Sequence, residues 1–379
     1  MIDEFIYQFN HFCTFRNRLA RNQASSPNPE DAQVLRDNTD TWSAYIVLNI
    51  LYSMIQRSEM NQQLQAYKAN REPIDVVSSE YAKRQLYRLL GYYSILGLLR
   101  IQCLLGDFSL ALKVLDDIEM TRRPMFNRVL AAQISTFYYI GVSYMMMHRH
   151  SDALKNFSHA VILVTRQKFL QKHGNNAQFD SITKKVDQMY ALIAICASLS
   201  PGARLDDTVN TTLREKLGDA FAKLQRGGPE SLPIYEDLFR GSCPKFISPT
   251  PPDFDRPEYN IDPIEHHISV FMSRVRVIQT HVPALKSYLK LYHTMDLPKL
   301  AGFLEVSPDK LRSLLMVMKS QGSQIKHKEG GEGLLSGELV KLSDLECQLD
   351  GDTITVEESK QGRKLTDWYL RNLARAYNQ

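Results

Sequence analysis

Long apolar runs are missing from this 379-residue chain. Nothing approaches the roughly 18 consecutive apolar residues that a membrane-spanning helix needs, and the most apolar stretch, Met189 to Leu199, suits a core helix. The opening MIDEFIYQFN has neither the basic start nor the apolar centre of a secretory leader. Cysteine is sparse: Cys13, Cys103, Cys196, Cys243 and Cys347 are scattered, odd in number and form no CxxC pair. That pattern fits reduced thiols in cytosol or nucleus; a cytoplasmic protein with no membrane partner is expected. An excess of one charge is missing too. The net charge of +4 is spread over the whole length, which permits contact with nucleic acid without arguing for it.

Signatures of catalysis are equally scarce. The glycine cluster Gly330-Gly331-Glu332-Gly333 is followed by Leu334-Leu335-Ser336, not by the Gly-Lys-Ser/Thr that a phosphate cradle requires. A flexible wing loop is the better reading. His148 and His150 flank Arg149, and His266 adjoins His267, but no second ligand pair at helical spacing accompanies either group. No GxSxG motif occurs, and no cysteine has the surroundings of a nucleophile. Asp116-Asp117 and Glu357-Glu358 read as solvated charge. No catalytic residue, cofactor or metal is therefore expected.

What the chain has is helix after helix. Ile2, Phe5, Phe9 and Phe12 recur at helical spacing, an aromatic stripe on the first helix. Asn22 to Asp40, with Pro27 and Pro29, reads as a loop; Trp42 to Met60 is apolar on several faces and reads as a buried helix; Pro73 sits in a further loop. Two helix pairs then resemble each other. Tyr92 to Ile118 turns at Gly106-Asp107, and Tyr138 to Val164 turns near Arg149 to Ser151. In the second pair, Gly141 and Tyr144 on one helix face Ala153, Phe157 and Ala160 on the next, at tetratricopeptide spacing. The first pair keeps Ala111, Leu115 and Ile118 but places Leu99 where the glycine would stand. The pattern predicts a degenerate right-handed helical array stabilised by stacking, with a plain helical bundle as the alternative. Met145-Met146-Met147 ends a repeat helix and reads as core. Gln178 to Ser198, ended by Pro201-Gly202, and the amphipathic Thr211 to Gln225, ended by Gly227-Gly228-Pro229, complete the array.

The texture changes at Gly241 to Pro263, where Pro244, Pro249, Pro251, Pro252, Pro257 and Pro263 forbid a regular helix. This is a strap, with Phe246 and Ile247 apolar enough to be pinned to the helices. Leu285, Tyr288, Leu289 and Tyr292 then form a helical stripe. Asp296 can cap a short helix whose Leu297, Leu300, Ala301 and Leu304 face inward. Ser307-Pro308-Asp309 starts another, with hydroxyl N-cap, proline and acid in order, and its buried face is Leu311, Leu314, Leu315 and Met318. After the polar, glycine-rich Gln321 to Gly337, Leu345, Cys347 and Leu349 alternate up to Asp350-Gly351-Asp352, and Ile354 and Val356 alternate away, a hairpin signal. Helix, turn, helix and hairpin is the order of a winged helix. Leu365, Trp368, Tyr369, Leu373 and Ala376 line a terminal helix, with Arg363, Lys364, Arg371 and Arg375 on its other faces.

The expected architecture is mainly α: a tetratricopeptide-like superhelix over 1–240, the strap over 241–263, a winged-helix module with a small β-hairpin over 264–359, and a C-terminal assembly helix over 360–379. Candidate subunit-interface residues are Leu345, Cys347, Ile354, Val356, Leu365, Trp368, Tyr369 and Leu373. A sequence reader of DNA would present basic or amide side chains at the start of its second helix. Here Lys310, Arg312 and Lys319 stand alone and Asp309 opposes phosphate, so these three are candidates only for weak contact with RNA backbone.

Helical repeats running into a winged helix and a terminal helix resemble the PCI proteins, which build the proteasome lid, the signalosome and eukaryotic translation initiation factor 3. DEFIYQFNHF (Asp3 to Phe12), LYRLLGYYSILGLLRIQCLLGDF (Leu86 to Phe108), the Tyr138 to Phe157 repeat, SCPKFISP (Ser242 to Pro249) and LKLYHTMDLPKLAGFLEV (Leu289 to Val306) are similar to the L-subunit branch of the last of these. Agreement is loosest in Gly322 to Lys341 and at the C-terminus. The resemblance implies a scaffold without an active site, whose winged helix aligns with those of neighbouring PCI subunits. It also implies close pairing with the small K subunit and a place on the small ribosomal subunit. A scaffold in another PCI complex and a winged-helix nucleic-acid regulator are the alternatives.

Overall fold

The computed structural model describes the chain apart from residues 22–28, 72–76, 121–123, 171–176, 201, 203, 257–258, 329–332, 344, 359–367, 371, 374–375 and 377–379. Expectations for Pro27, Pro73, Pro201, Pro257, Gly330-Gly331-Glu332, Arg363, Lys364, Leu365, Arg371 and Arg375 thus lie outside the described residues.

The chain begins with α1 (Ile2–Arg21), α2 (Pro29–Asp37), α3 (Ala44–Arg57), α4 (Met60–Lys68) and α5 (Glu80–Lys83). The aromatic stripe of α1 has a partner: the ring of Trp42, on a residue with φ +50°, lies 5.8, 6.4 and 6.0 Å from those of Phe5, Phe9 and Phe12. Two expectations need correction here. Asn22 to Asp40 is not loop throughout, because Pro29-Glu30-Asp31 starts a helix with acids in its first turn and Leu35 buried. Nor is α3 buried all round. Ala44, Val47, Leu51 and Ile55 face inward, while Tyr45, Ile46, Ile50 and Tyr52 are exposed.

The two repeat pairs follow as α6 (Gln85–Leu105) with α7 (Phe108–Lys113), and α8 (Leu130–Met146) with α9 (His150–Leu170). Gly106 takes φ +88° at the first turn, a conformation costly for any residue with a Cβ, and the Asp107 carboxylate caps α7 by accepting from the Leu110 N–H. The helix ends earlier than the spacing predicts, at Lys113, yet Leu115 and Ile118 remain buried. Tyr144, Met145, Ala153, Phe157 and Ala160 are all in the core, as is Leu99. At Gly141 a Cβ would stand 2.4 Å from Phe157 Cε1, so α8 and α9 approach as closely as the missing side chain allows.

The array closes with α10 (Ala177–Leu199), α11 (Asp207–Arg226), α12 (Leu232–Ser242) and the first half of α13 (Pro263–Leu289). The strap is pinned near its start and again at its middle. The Ile247 N–H donates to the Leu104 carbonyl at 2.8 Å, Phe246 packs 4.0 Å from the His267 ring, and Phe254 is buried with Leu19, Ala20 and Leu35. Along α13 the buried face changes company. Ile268, Phe271, Met272, Val275 and Ile278 belong to the array core, whereas Val282, Leu285 and Leu289 belong to a second core with the C-terminal elements.

That second core is filled by β1 (Thr294–Asp296), α14 (Leu297–Phe303), α15 (Pro308–Gly322), β4 (Leu345–Asp350) and β5 (Thr353–Glu358). Strand order is β1-β5-β4, all antiparallel, with Cys347 opposite Val356 and Leu349 opposite Ile354. Between α15 and β4 a separate pair forms: β2 (Ser323–Lys326) against β3 (Glu338–Lys341), with Gln324 opposite Val340. The molecule is a mainly α superhelix carrying a winged-helix module.

Candidate functional site

The winged helix is built as its sequence signals demand. Ser307 Oγ accepts from the Lys310 N–H at 3.4 Å, and Pro308 and Asp309 open α15 behind it. Asp296 occupies the N-cap of α14 without a side-chain bond; the strand pairing instead holds this end, and the Leu297 N–H donates to the Asp352 carbonyl at 2.7 Å. The hairpin turn is Gly351-Asp352, with Gly351 at φ +60°.

This packing redistributes the candidate residues. Leu345, Cys347, Ile354 and Val356 are buried in the module's own core with Leu300, Leu311 and Leu315. The alternation that marked them is that of one hairpin face, and that face is turned inward. Trp368, Tyr369 and Leu373 are 58%, 60% and 52% exposed, and Leu370 joins them at 59%. Residues 368–370 and 372–373 are helical, and the Trp368 and Tyr369 rings meet edge-on at 5.1 Å. Of the weak RNA candidates, Lys310 and Lys319 are exposed, while Arg312 is paired with Asp352 at 2.6 Å.

The glycine-rich segment after α15 is not a free wing loop in its described parts. It is clamped to the turn between α8 and α9. Arg149 is almost wholly buried and pairs with Asp152 at 2.8 Å, one turn along. Its guanidinium also donates to the carbonyls of Leu335 at 2.8 Å and Ser336 at 3.2 Å. Tyr144 Oη donates to the Leu334 carbonyl at 2.7 Å. In return, Asp152 accepts the His327 N–H at 3.0 and 2.9 Å, and Gln324 Oε1 accepts from the Ser151 hydroxyl at 3.1 Å. Asp116, expected as solvated charge, accepts the Leu334 N–H at 3.3 Å. Each buried charge thus has several partners, the condition for burying it at all. The partners are 173 to 218 positions apart in sequence, so no spacing pattern could expose them. One local signal existed: an Arg and an Asp three residues apart at a tight repeat turn.

The titratable groups are arranged for packing. Burial pushes the Cys103 thiol up to about 12 and the Cys13 thiol up to about 11, away from the thiolate a nucleophile requires. Burial, with His148 and Arg274 nearby, pushes His150 down to about 3. Among the described residues no group of three His, Cys, Asp or Glu side chains could hold a metal ion, and no helix is long and apolar enough to cross a membrane. The geometry presents surfaces.

Comparison with known proteins agrees with that character. The profile of the family described as RNA polymerase I-associated factor PAF67 matches residues 1–376. Eukaryotic translation initiation factor 3 subunit L of Botryotinia fuckeliana (strain B05.10) is 60% identical over 377 residues, covering 100% of this chain and 77% of that protein. The subunit L of Pyricularia oryzae (strain Y34) is 60% identical and that of Coccidioides immitis (strain RS) 59%, with 78% and 76% of their lengths covered. With a helical superhelix, a winged helix and this identity along its whole length, the chain belongs to the family of eukaryotic translation initiation factor 3 subunit L.

Proposed function

We propose that the protein is a non-catalytic scaffold subunit of eukaryotic translation initiation factor 3. In this reading the superhelix over 1–240 and the winged helix over 264–359 are joined by the strap, and residues 360–379 dock into the complex. Its partners are the other subunits, above all the K subunit and the neighbouring PCI subunits, and it supports preinitiation-complex formation on the small ribosomal subunit in the cytoplasm. The observation that carries the docking role is the exposed cluster of Trp368, Tyr369, Leu370 and Leu373. Large aromatic and aliphatic side chains grouped on one short segment are what an interface core is made of.

Affinity purification of the tagged chain from cytosol, followed by mass spectrometry, tests this. Initiation factor 3 subunits, with K among the most abundant, and small-subunit ribosomal proteins are expected. Recovery of proteasome-lid or signalosome subunits without initiation factors overturns the assignment.

A further inference from the structure

The outer face of α13 has an unusual charge pattern. No Asp or Glu occurs between Glu265 and Asp296, and over that span lie Arg274, Arg276, Lys286 and Lys290. Arg276, Pro283 and Lys290 stand at i, i+7 and i+14, so they share one stripe of the helix, with the two cations about 21 Å apart. The neighbouring stripe is Ser273, Thr280 and Ser287, all exposed and small. Lys286 flanks the cation stripe one turn before Lys290. Burial pushes its ammonium below the usual lysine range, and the positive charge of Lys290 adds to the effect.

A second element extends the ridge. The last turn of α11 carries Lys223 and Arg226, and the next residue, Gly227, faces α13 so closely that a Cβ there would lie 2.8 Å from Gln279 Oε1 and 3.6 Å from Pro283 Cγ. Elsewhere in this part of the molecule cations have partners: Arg240 is taken up by Glu236 and Glu265, and Lys216 by Asp187. Lys223, Arg226, Arg276, Lys286 and Lys290 have no acidic group within ion-pairing distance among the described residues. Exposed Asp219, one turn before Lys223 on α11, and Glu230, in the adjoining 3-10 turn, are the acids to set against them.

We propose that this ridge, Lys223 and Arg226 with Arg276, Lys286 and Lys290, is a sequence-independent binding surface for an RNA strand. Cations without partners on an exposed helix face suit a phosphate chain, because binding releases condensed counterions. The small side chains beside the cation stripe leave room for a strand to approach. A protein partner would call for large apolar anchors; Arg276, Pro283 and Lys290 supply none, and the exposed Val270, Val277 and Leu291 lie on a separate stripe beyond Ser273, Thr280 and Ser287. The ridge also differs from the α15 positions Lys310, Arg312 and Lys319, where an aspartate already occupies the central arginine. The inference goes beyond the scaffold reading, which stands or falls separately on co-purification.

The test uses the full chain and a fluorescein-labelled oligouridylate of about 20 nucleotides, followed by anisotropy across a salt series. Neutralising Arg276, Lys286 and Lys290 together (Arg276→Gln, Lys286→Gln, Lys290→Gln) is expected to weaken binding at least tenfold. The slope of log K against log salt should fall by about 2, at about 0.7 per phosphate contact. The double variant Arg276→Gln, Lys290→Gln, which leaves half-buried Lys286 in place, should show about two thirds of that slope change with an unaltered thermal melt. Neutralising Lys310, Arg312 and Lys319 should leave both quantities near the parent values. The proposal is overturned if the parent chain does not bind the RNA, if the α15 variant rather than the ridge variant loses it, or if polyglutamate displaces the RNA at equal charge concentration.

Discussion

At the scale of single residues, Gly141 and His150 show what a sequence does and does not disclose. Gly141 is legible because Ala153, Phe157 and Ala160 follow it at the offsets of a known helix pair, and the structure sets the Phe157 ring where its Cβ would be. Gly141→Leu should therefore destabilise the fold by about 1–3 kcal/mol through overpacking, seen as a lower melting temperature. An unchanged melt would mean that α8 and α9 separate without cost. His150 is different: nothing in its neighbours announces that it is buried, since its burial depends on elements far along the chain. An unfolded histidine binds its proton near pH 6.5, whereas folded His150 does so only at about 3. The unfolded chain holds more protons throughout the interval between, so this contribution to stability is complete above about pH 6.5 and is lost as pH falls toward 3. At pH 5 the loss from this residue is about 2 kcal/mol. His148 and His267, each pushed down to about 4 chiefly by burial, act in the same direction. The melting temperature should drop on going from pH 7.5 to pH 5, and His150→Asn should drop less than the parent. Parallel slopes would remove His150 from the account.

At the scale of elements, starts and turns were readable wherever local chemistry decides them. Ser307-Pro308-Asp309 opens α15 and Asp350-Gly351-Asp352 marks the hairpin, because capping and turn preferences act over a few residues. Three features escaped. Two were α2 and the exposed half of α3, because length and neighbours, rather than composition, settle which helix faces are covered. The third was the β2–β3 pair, hidden in a segment whose glycines and charges read as a wing loop. What orders its described parts is the Arg149–Asp152 pair on the repeat, a contact across some 175 residues. Removing one member of a buried pair strands the other. Asp152→Ala should cost about 3–5 kcal/mol and speed amide exchange at Ser323–Lys326 and Glu338–Lys341 more than in β4 and β5. Glu338→Gln, which breaks the exposed pair with Lys328, should leave the melt and the exchange almost unchanged. Uniform loss of protection over the whole winged helix would show that Asp152 supports the module generally rather than the clamp.

At the scale of the whole molecule, the order of superhelix, strap and winged helix follows from periodicity and proline density, but the sharing of α13 between the two cores does not: Ile268 to Ile278 join the array and Val282 to Leu289 the winged helix. The proposed docking surface was less legible. Alternating apolar residues in the hairpin and an apolar stripe in the terminal segment look alike as patterns, yet the first completes a core and the second stands in solvent. The difference lies in what each face meets: Leu345 and Val356 meet α15, whereas the Trp368 and Tyr369 rings stay more than half exposed. The double variant Trp368→Ala, Tyr369→Ala should therefore leave the melting temperature of the isolated chain within about 1 °C, since exposed side chains contribute little to folding. The same variant should reduce recovery of co-assembled subunits at least tenfold, as expected when two aromatic anchors leave an interface core. Full recovery of the complex would move the docking surface elsewhere on the chain. A lowered melting temperature with full recovery would mean that the aromatic segment folds back on its own module in solution.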